Sequence, residues 1–203
     1  MFESLRAHHP TPKNRRSPDA LDVRISELLV ATADGGDALI NDCVPEVLRL
    51  LRERLSMDVV FVSEFVDGRR VFRRVESAPD RALIAVNESA PLEESFCQRV
   101  VDGRMPALVT DVAKLSDFDQ LPKTPFRVGA HLSVPVVLND GRVYGTLCCF
   151  SQAPNDNLTR QDQKKLEMSA QLTARRIDAE HARELAAATS SWSLEPRDDS
   201  RLH

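Results

Sequence analysis

Two turn signals constrain the fold of this chain more than any other feature of its sequence. Asp67-Gly68 and Asp140-Gly141 each separate two stretches that are rich in β-branched and aromatic residues. Asp-Gly is typical of the two-residue type I′ turn, because both central residues of that turn need a positive φ angle. We therefore predict two antiparallel β-hairpins, with strands at residues 59–66, 71–75, 130–138 and 142–151.

Two helical patterns precede the first hairpin. Ser17-Pro18-Asp19 is a typical helix start, and Asp34-Gly35-Gly36 ends that helix. A second apolar stripe extends over residues 40–55 and contains Pro45, so this helix either kinks at the proline or begins near Asp42.

A different order of elements follows the first hairpin. The pattern predicts a helix at residues 92–101, a short strand at 107–110 and a loop at 112–128 that leads into the second hairpin. Thr159-x-x-Asp162 resembles a capping box and begins a long helix that we expect to reach residue 188. Helices that alternate with antiparallel strands in this way define an α+β fold.

Composition restricts the functional classes. The chain has 203 residues, 27 Lys and Arg against 31 Asp and Glu, and a net charge of −4, so it lacks the positive charge of a nucleic-acid binder. No apolar stretch approaches the ~18 residues of a membrane span, and the N-terminus has no secretory signal. The four cysteines contain no C-x-x-C pair, so we expect free thiols, no metal site and a cytoplasmic protein. We predict tails at residues 1–17 and 189–203 around one domain at 18–188.

The register of the second hairpin separates a polar sheet face from an apolar one. With a two-residue turn, Ser133 lies opposite Cys148, and Val137 lies opposite Tyr144. The apolar face suits packing helices. The other face mixes polar and apolar side chains, as in a small-molecule pocket. We predict that five residues face this pocket: His131, Ser133, Tyr144, Thr146 and Cys148. The alternative is a half-buried strand face with a structural histidine.

The segments PLEESFCQRVVDGRMPALVTDV and VGAHLSVPVVLNDGRVYGTLCCFS resemble the GAF domain family, and the resemblance covers residues 37–180. It is greatest to the N-terminal GAF modules of bacterial cyclic-di-GMP phosphodiesterases and sensor kinases, here without an output domain. The resemblance implies a central antiparallel sheet with helices on both faces, terminal helices that pair into a dimer bundle, and a small-ligand pocket under the middle helix. It adds Phe96, Cys97 and Asp111 to the candidate ligand-binding residues.

The sequence matches poorly the motifs by which specialised GAF domains bind bilins and cyclic nucleotides. Bilin-binding members attach the chromophore through a cysteine that is usually followed by His, whereas Cys97 is followed by Gln98. The N-K-x-F-D-E pattern of cyclic-nucleotide binders is reduced here to a lysine and the run Phe118-Asp119-Gln120. A haem would need His131 as its axial ligand. The cofactor therefore stays unknown.

The function that these observations favour is a stand-alone, non-enzymatic sensor, a homodimer that binds a small molecule or senses redox state and acts through a separate effector. Cys97 follows Phe96 near the start of the predicted middle helix, where the helix dipole favours a thiolate, so it is either a redox sensor or a small buried hydrophobe. Two alternatives stay open. One is an enzyme similar to free methionine-(R)-sulfoxide reductases that uses Cys97 and Cys148, and the other is a ligand-free dimerisation domain.

Overall fold

The computed structural model describes residue 23 and residues 37–190. The elements are α1 (Asp37–Leu55), β1 (Val59–Val66), β2 (Arg69–Ser77), β3 (Ser89–Pro91), α2 (Phe96–Val101), β4 (Leu108–Val109), two 3-10 turns (Val112–Lys114 and Phe118–Gln120), β5 (Ala130–Val137), β6 (Val143–Ser151) and α3 (Arg160–Ser190). The predicted tail at 1–17, all of the predicted helix from Pro18 to its glycine stop except residue 23, and the side chain of Cys43 lie outside the described residues. Of the predicted tail at 189–203, residues 189 and 190 belong to α3, and the rest lies outside the described residues.

A single six-stranded sheet organises these elements in the order β3-β2-β1-β6-β5-β4. Every pair of neighbouring strands is antiparallel, and the two hairpins meet where β1 pairs with β6. The prediction of an α+β fold with a central antiparallel sheet is therefore confirmed.

The apolar face of the sheet is covered by the first and last helices of this region. Val47, Leu48 and Leu51 of α1 and Leu166 and Ala170 of α3 are buried there. They pack against alternate residues of the second hairpin, namely Leu132, Val134, Val136, Leu138, Leu147 and Cys149. The predicted apolar face and the packing of both terminal helices on it are confirmed.

The opposite face of the sheet is covered by α2 and the segment that follows it. Phe61, Phe72, Cys97, Cys148 and Phe150 form one buried cluster on this face. A smaller cluster around Phe96, Met105, Val109 and Val112 joins α2 to the first 3-10 turn. Helical segments therefore lie on both faces of the sheet. The short segments, α2 and the first 3-10 turn, lie on the face that carries the polar side chains of the second hairpin.

The two hairpins end in different turns. Asp67 and Gly68 have φ angles of 50° and 69°, as the type I′ prediction requires. In the second hairpin Gly141 has a φ of 83° but Asp140 is not in the positive region, and the Gly141 amide donates to the Leu138 carbonyl. This turn is a type I turn followed by a left-handed glycine, which adds a residue to the loop.

Other element boundaries differ from the predictions. Helix α1, the second of the two helices predicted before the first hairpin, begins at Asp37 and continues through Pro45. The middle helix begins at Phe96, four residues later than predicted, because the Ser95 hydroxyl accepts a hydrogen bond from the Gln98 amide and caps it there. Strand β3, which pairs with the start of β2, was not predicted.

Candidate functional site

A pair of buried thiols lies at the centre of the polar sheet face. Cys97 is the second residue of α2, and Cys148 lies on β6, and neither side chain is exposed. Their Sγ atoms are 3.3 Å apart. The Ser95 cap determines where α2 begins and thereby places Cys97 over the strand.

A chain of buried hydroxyl groups extends from Cys148 along the sheet. Cys148 Sγ lies 2.8 Å from Ser133 Oγ and 3.1 Å from Thr146 Oγ1. Thr146 Oγ1 in turn lies 2.9 Å from Ser63 Oγ of β1. Sequence reasoning missed Ser63, although a serine at an inward-facing position of the apolar run VVFVSEFV is a usable signal.

Two basic side chains lie on the other side of the thiol pair. Arg70 Nη1 is 3.8 Å from Cys97 Sγ, and its guanidinium carbon lies 4.5 Å from the centre of the Phe72 ring. The His131 ring is 5.5 Å from the Phe96 ring, and its buried Nδ1 has no hydrogen-bond partner in the described part of the chain. Arg70 was also missed, because the predicted strand begins at residue 71 and because only the pairing of β1 with β6 brings the first hairpin to the thiol pair.

The surroundings of the two thiols shift their pKa values in opposite directions. The hydrogen bond with Cys148 holds the pKa of Cys97 well below its ordinary value against the effect of burial, and His131 and Arg70 lower it further. Burial raises the pKa of Cys148 well above its ordinary value, and its hydrogen bond with Cys97 adds to the increase. Cys97 is therefore the more acidic thiol of the pair.

A cavity of about 480 Å³ lies beside the thiol pair, between α2 and the loop that precedes β5. Most of its wall is apolar, and Phe126 stacks on Phe150 of the sheet with ring centres 5.2 Å apart. Charged side chains are confined to Asp119, Lys123 and Arg127. The remaining lining residues are Phe96, Val112, Ala113, Phe118, Leu121, Pro122, Thr124 and Val128.

Six of the eight predicted site residues lie together. Phe96 lines the cavity and contacts His131. The other five are buried, and they comprise the thiol pair and its neighbours: Cys97, His131, Ser133, Thr146 and Cys148.

The predicted placement of Tyr144 on the pocket face is wrong. The register shifts between Val136 and Val137, so Val137 pairs with Val143 and Tyr144 is the extra residue of a bulge. Its side chain lies against the helix-covered face, where it lines a second cavity of about 210 Å³ with Arg73 and Ile177. Burial there raises the pKa of the phenol.

Asp111 also lies apart from the thiol cluster. Its carboxylate accepts a hydrogen bond from the Ala113 amide and caps the first 3-10 turn, and it lies 3.3 Å from Lys114 Nζ. These contacts give Asp111 a structural role at the edge of the loop. Asp111 does not line the cavity beside α2.

The part of the chain that the structure describes contains neither a metal-binding cluster nor a membrane-spanning helix. No group of three or more His, Cys, Asp or Glu side chains there is arranged to hold a metal ion. No helix there is both long and apolar enough to span a bilayer.

An antiparallel sheet with helices on one face and a loop-covered cavity on the other defines an α+β domain with a cavity beside its sheet. The family model described as GAF domain matches residues 38–178, which is more than half of the chain. The chain therefore belongs to the GAF domain family, whose members include sensory and small-molecule-binding domains.

Solved structures share this fold at low sequence identity. The GAF domain of an Acinetobacter phosphoenolpyruvate-protein phosphotransferase is 16% identical with a TM-score of 0.59, and the match covers 79% of this chain and 93% of that one. The phycocyanobilin-bound GAF domain of a cyanobacterial phytochrome is 13% identical with a TM-score of 0.60, over 80% and 96%.

An enzyme is among the similar structures as well. Free methionine-R-sulfoxide reductase from Neisseria meningitidis, solved in complex with its substrate, is 17% identical with a TM-score of 0.59, over 82% of this chain and 95% of that one. No curated protein sequence matches the chain. At these identities the structural matches establish the fold alone.

Proposed function

We propose that this protein is a cytoplasmic, non-enzymatic sensor module of bacterial signal transduction whose input is a small molecule bound in the cavity beside α2. The observation that carries this proposal is the cavity of about 480 Å³ between α2 and the loop before β5. Ligand pockets are commonly between ~300 and ~1,000 Å³ and mainly apolar, with few polar groups. This cavity fits that description.

The lining indicates the class of ligand. Phe96, Phe118 and Phe126 offer aromatic surface, which favours a flat apolar body. Lys123 and Arg127 add positive charge, and neither forms an ion pair within the described residues, whereas Asp119 contributes one negative charge. The balance favours a small aromatic molecule with a single anionic group.

The sheet connects this cavity to the terminal helices. Phe150 of β6 stacks on cavity residue Phe126, while the neighbouring Cys149 faces the helix-covered core. A ligand that shifts β6 therefore acts on both faces, because adjacent side chains of a strand point in opposite directions. We infer that α3 passes this change to a second copy of the chain and to a separate effector protein.

The test of this function is ligand binding with a matched pair of probes. Isothermal titration calorimetry compares 2-naphthoate with its neutral analogue 2-naphthamide, both on the full chain under reducing conditions. We expect the native protein to bind the carboxylate more tightly. The double variant Lys123→Gln/Arg127→Gln should lose about tenfold in carboxylate affinity while its affinity for the amide changes little.

The control is Arg160→Gln/Lys164→Gln, which removes the same charge from exposed positions of α3. It should bind both probes as the native protein does. Failure of the native chain to bind either probe would contradict the proposed ligand class. Equal weakening by the two double variants would show a general charge effect instead of contact in the cavity.

A second candidate function is favoured by one observation, the 3.3 Å separation of the Cys97 and Cys148 sulfurs. A free methionine-R-sulfoxide reductase needs an attacking thiolate and a resolving thiol. However, neither cysteine lines the cavity, and both are fully buried. We therefore expect no consumption of NADPH when the protein is mixed with methionine-R-sulfoxide, thioredoxin and thioredoxin reductase. Sustained turnover that Cys97→Ser abolishes would establish the enzyme.

A further inference from the structure

We propose that Cys97 and Cys148 form a reversible intramolecular disulfide in response to hydrogen peroxide, which gives the protein a redox input separate from its ligand cavity. The two sulfurs belong to different elements, α2 and the central strand β6. The disulfide would therefore join the helix that covers the polar face directly to the middle of the sheet.

The geometry requires little movement. The sulfurs are 3.3 Å apart, and a disulfide bond is about 2.05 Å long, so they must approach by about 1.3 Å. Helix α2 has only six residues, and its neighbour β6 is held on both sides by β1 and β5. We expect α2 to move toward the sheet because it is the less constrained of the two elements.

The contacts assign different roles to the two cysteines. The Arg70 guanidinium lies 3.8 Å from the Cys97 sulfur, and its positive charge stabilises a thiolate there. Cys148 is surrounded by the neutral hydroxyl groups of Ser133 and Thr146. The lowered pKa of Cys97 and the raised pKa of Cys148 agree with this assignment.

The chemistry proceeds in two balanced steps. The Cys97 thiolate attacks one peroxide oxygen, the O–O bond breaks, and Cys97 becomes a sulfenic acid while hydroxide leaves and takes up a proton as water. Cys148 then attacks the Cys97 sulfur, the S–O bond breaks, and a second water leaves with the Cys148 proton. Two thiols and one hydrogen peroxide therefore give one disulfide and two waters, and a cellular dithiol reverses the change.

Burial selects the oxidant. Neither sulfur is exposed, so the reagent must enter during local opening around α2. Hydrogen peroxide is nearly as small as water and needs only a small opening, whereas a bulky oxidant needs more. Cys149 provides an internal comparison, because it follows Cys148 but faces the opposite core with its sulfur 3.7 Å from the Leu132 carbonyl oxygen.

The test is mass spectrometry of the full chain after treatment with equimolar hydrogen peroxide and alkylation under denaturing conditions. Before alkylation, we expect the intact mass to be lower than that of the reduced chain by two hydrogens. After alkylation, two of the four cysteines should carry no alkyl group. Peptide mapping should find Cys97 linked to Cys148, and dithiothreitol should restore both thiols. Absence of this link, or a link that involves Cys149 or a second chain, would overturn the proposal.

Variants separate the two roles. Cys148→Ser should stop at a Cys97 sulfenic acid that dimedone traps, whereas Cys97→Ser should resist equimolar peroxide. The matched control Cys149→Ala should still form the link. Dimedone labelling of Cys148 in place of Cys97 would contradict the assigned order of attack.

Three further variants retain both cysteines, so they test the proposal if a cysteine variant does not fold. Arg70→Gln should slow disulfide formation about tenfold, while Arg70→Lys and the neighbouring control Arg74→Gln should change it little. An unchanged rate in Arg70→Gln would contradict activation by this guanidinium. Since the link is measured without any ligand, its failure would not affect the proposed binding function, and a failure to bind probes would not affect the link.

Discussion

Gly145 occupies the tightest backbone contact of the central strands. It lies on β6 opposite Glu64 of β1 and Val136 of β5. A Cβ atom at this position would lie 2.8 Å from the Ser63 carbonyl carbon and 2.9 Å from the Glu64 Cα, and closer still to the Ser63 carbonyl oxygen. These are backbone atoms, so no side-chain rotation relieves the contact.

We therefore expect Gly145→Ala to lower the free energy of unfolding by about 3 kcal/mol, because β1 and β6 must separate. The comparison is Gly103→Ala, whose φ of 71° strains an alanine but whose Cβ has nothing within 4 Å. That change should cost only about 1 kcal/mol. Urea unfolding of both variants decides the matter. An equal loss in the two would show that steric contact at Gly145 is unimportant.

Cys149 makes the stability of the fold sensitive to alkaline pH. Burial raises the pKa of this thiol far above its ordinary value, and the charge of Asp162 adds to the increase. In the unfolded chain the thiol ionises near pH ~8.5, while in the folded chain it stays protonated. The unfolded state therefore loses protons first, and the stability contributed by the protonated thiol decreases as pH rises above ~8.5.

We expect Cys149→Ala to remove this part of the pH dependence. Between pH 7.5 and 9.5 the native chain should lose about 1.4 kcal/mol more stability than the variant does. The measurement is urea unfolding of both proteins at the two pH values with a reductant present. Parallel losses in the two proteins would show that Cys149 does not titrate differently in the folded and unfolded states.

At the scale of elements, the start of α3 depends on a capping box. The Asp162 carboxylate accepts hydrogen bonds from the Thr159 amide at 2.8 Å and from its hydroxyl at 2.7 Å. Thr159 Oγ1 in turn accepts a 3.3 Å hydrogen bond from the Asp162 amide. This confirms the sequence-based prediction of the capping box and satisfies donors that would otherwise have no partner.

Thr159→Ala should reduce the stability of the domain by about 1 kcal/mol, because the first turn of α3 loses its cap. Thr189→Ala is the matched control: this exposed threonine donates to the Leu185 carbonyl within the same helix and caps nothing at its start. Thermal unfolding followed by circular dichroism should show a lower midpoint for Thr159→Ala alone. A similar decrease in both variants would contradict a specific contribution of the Thr159 cap.

Local signals in the sequence predicted the elements that depend on local physics. Strand β1 was predicted with its observed bounds, and Ser133 and Cys148 were predicted to be opposite each other. The error at Tyr144 has a local cause as well. Asp-Gly is compatible both with a type I′ turn and with a type I turn followed by a left-handed glycine, and only the second adds a residue to the loop.

The rest of the site depends on contacts between distant parts of the chain. Ser63 and Arg70 reach the thiol pair because β1 pairs with β6, and no single segment specifies this pairing between the two hairpins. The 3.3 Å approach of Cys97 to Cys148 joins residues 51 positions apart. Sequence patterns predicted a polar sheet face. The distance between the sulfurs could not be predicted in this way, because it depends on how α2 packs on the sheet.

At the scale of the whole molecule, α3 is longer than the sheet that it covers. The helix has 31 residues and is about 46 Å long at about 1.5 Å per residue. Its buried residues lie between Lys165 and Ala174, and every residue from 181 to 190 is exposed. Leu185 in this last segment is 69% exposed.

We propose that a second copy of the chain covers this segment, in agreement with the homodimer in our proposed function. Leu185→Glu should convert a dimer into a monomer, because the interface would bury an uncompensated charge. The matched control is Ala187→Glu, which adds the same charge to an exposed position about 200° around the helix. Sedimentation velocity and native mass spectrometry at micromolar concentration measure the oligomeric state. A native chain that is monomeric, or two variants that are equally dimeric, would contradict a seam at Leu185 and would leave α3 to act on the effector alone.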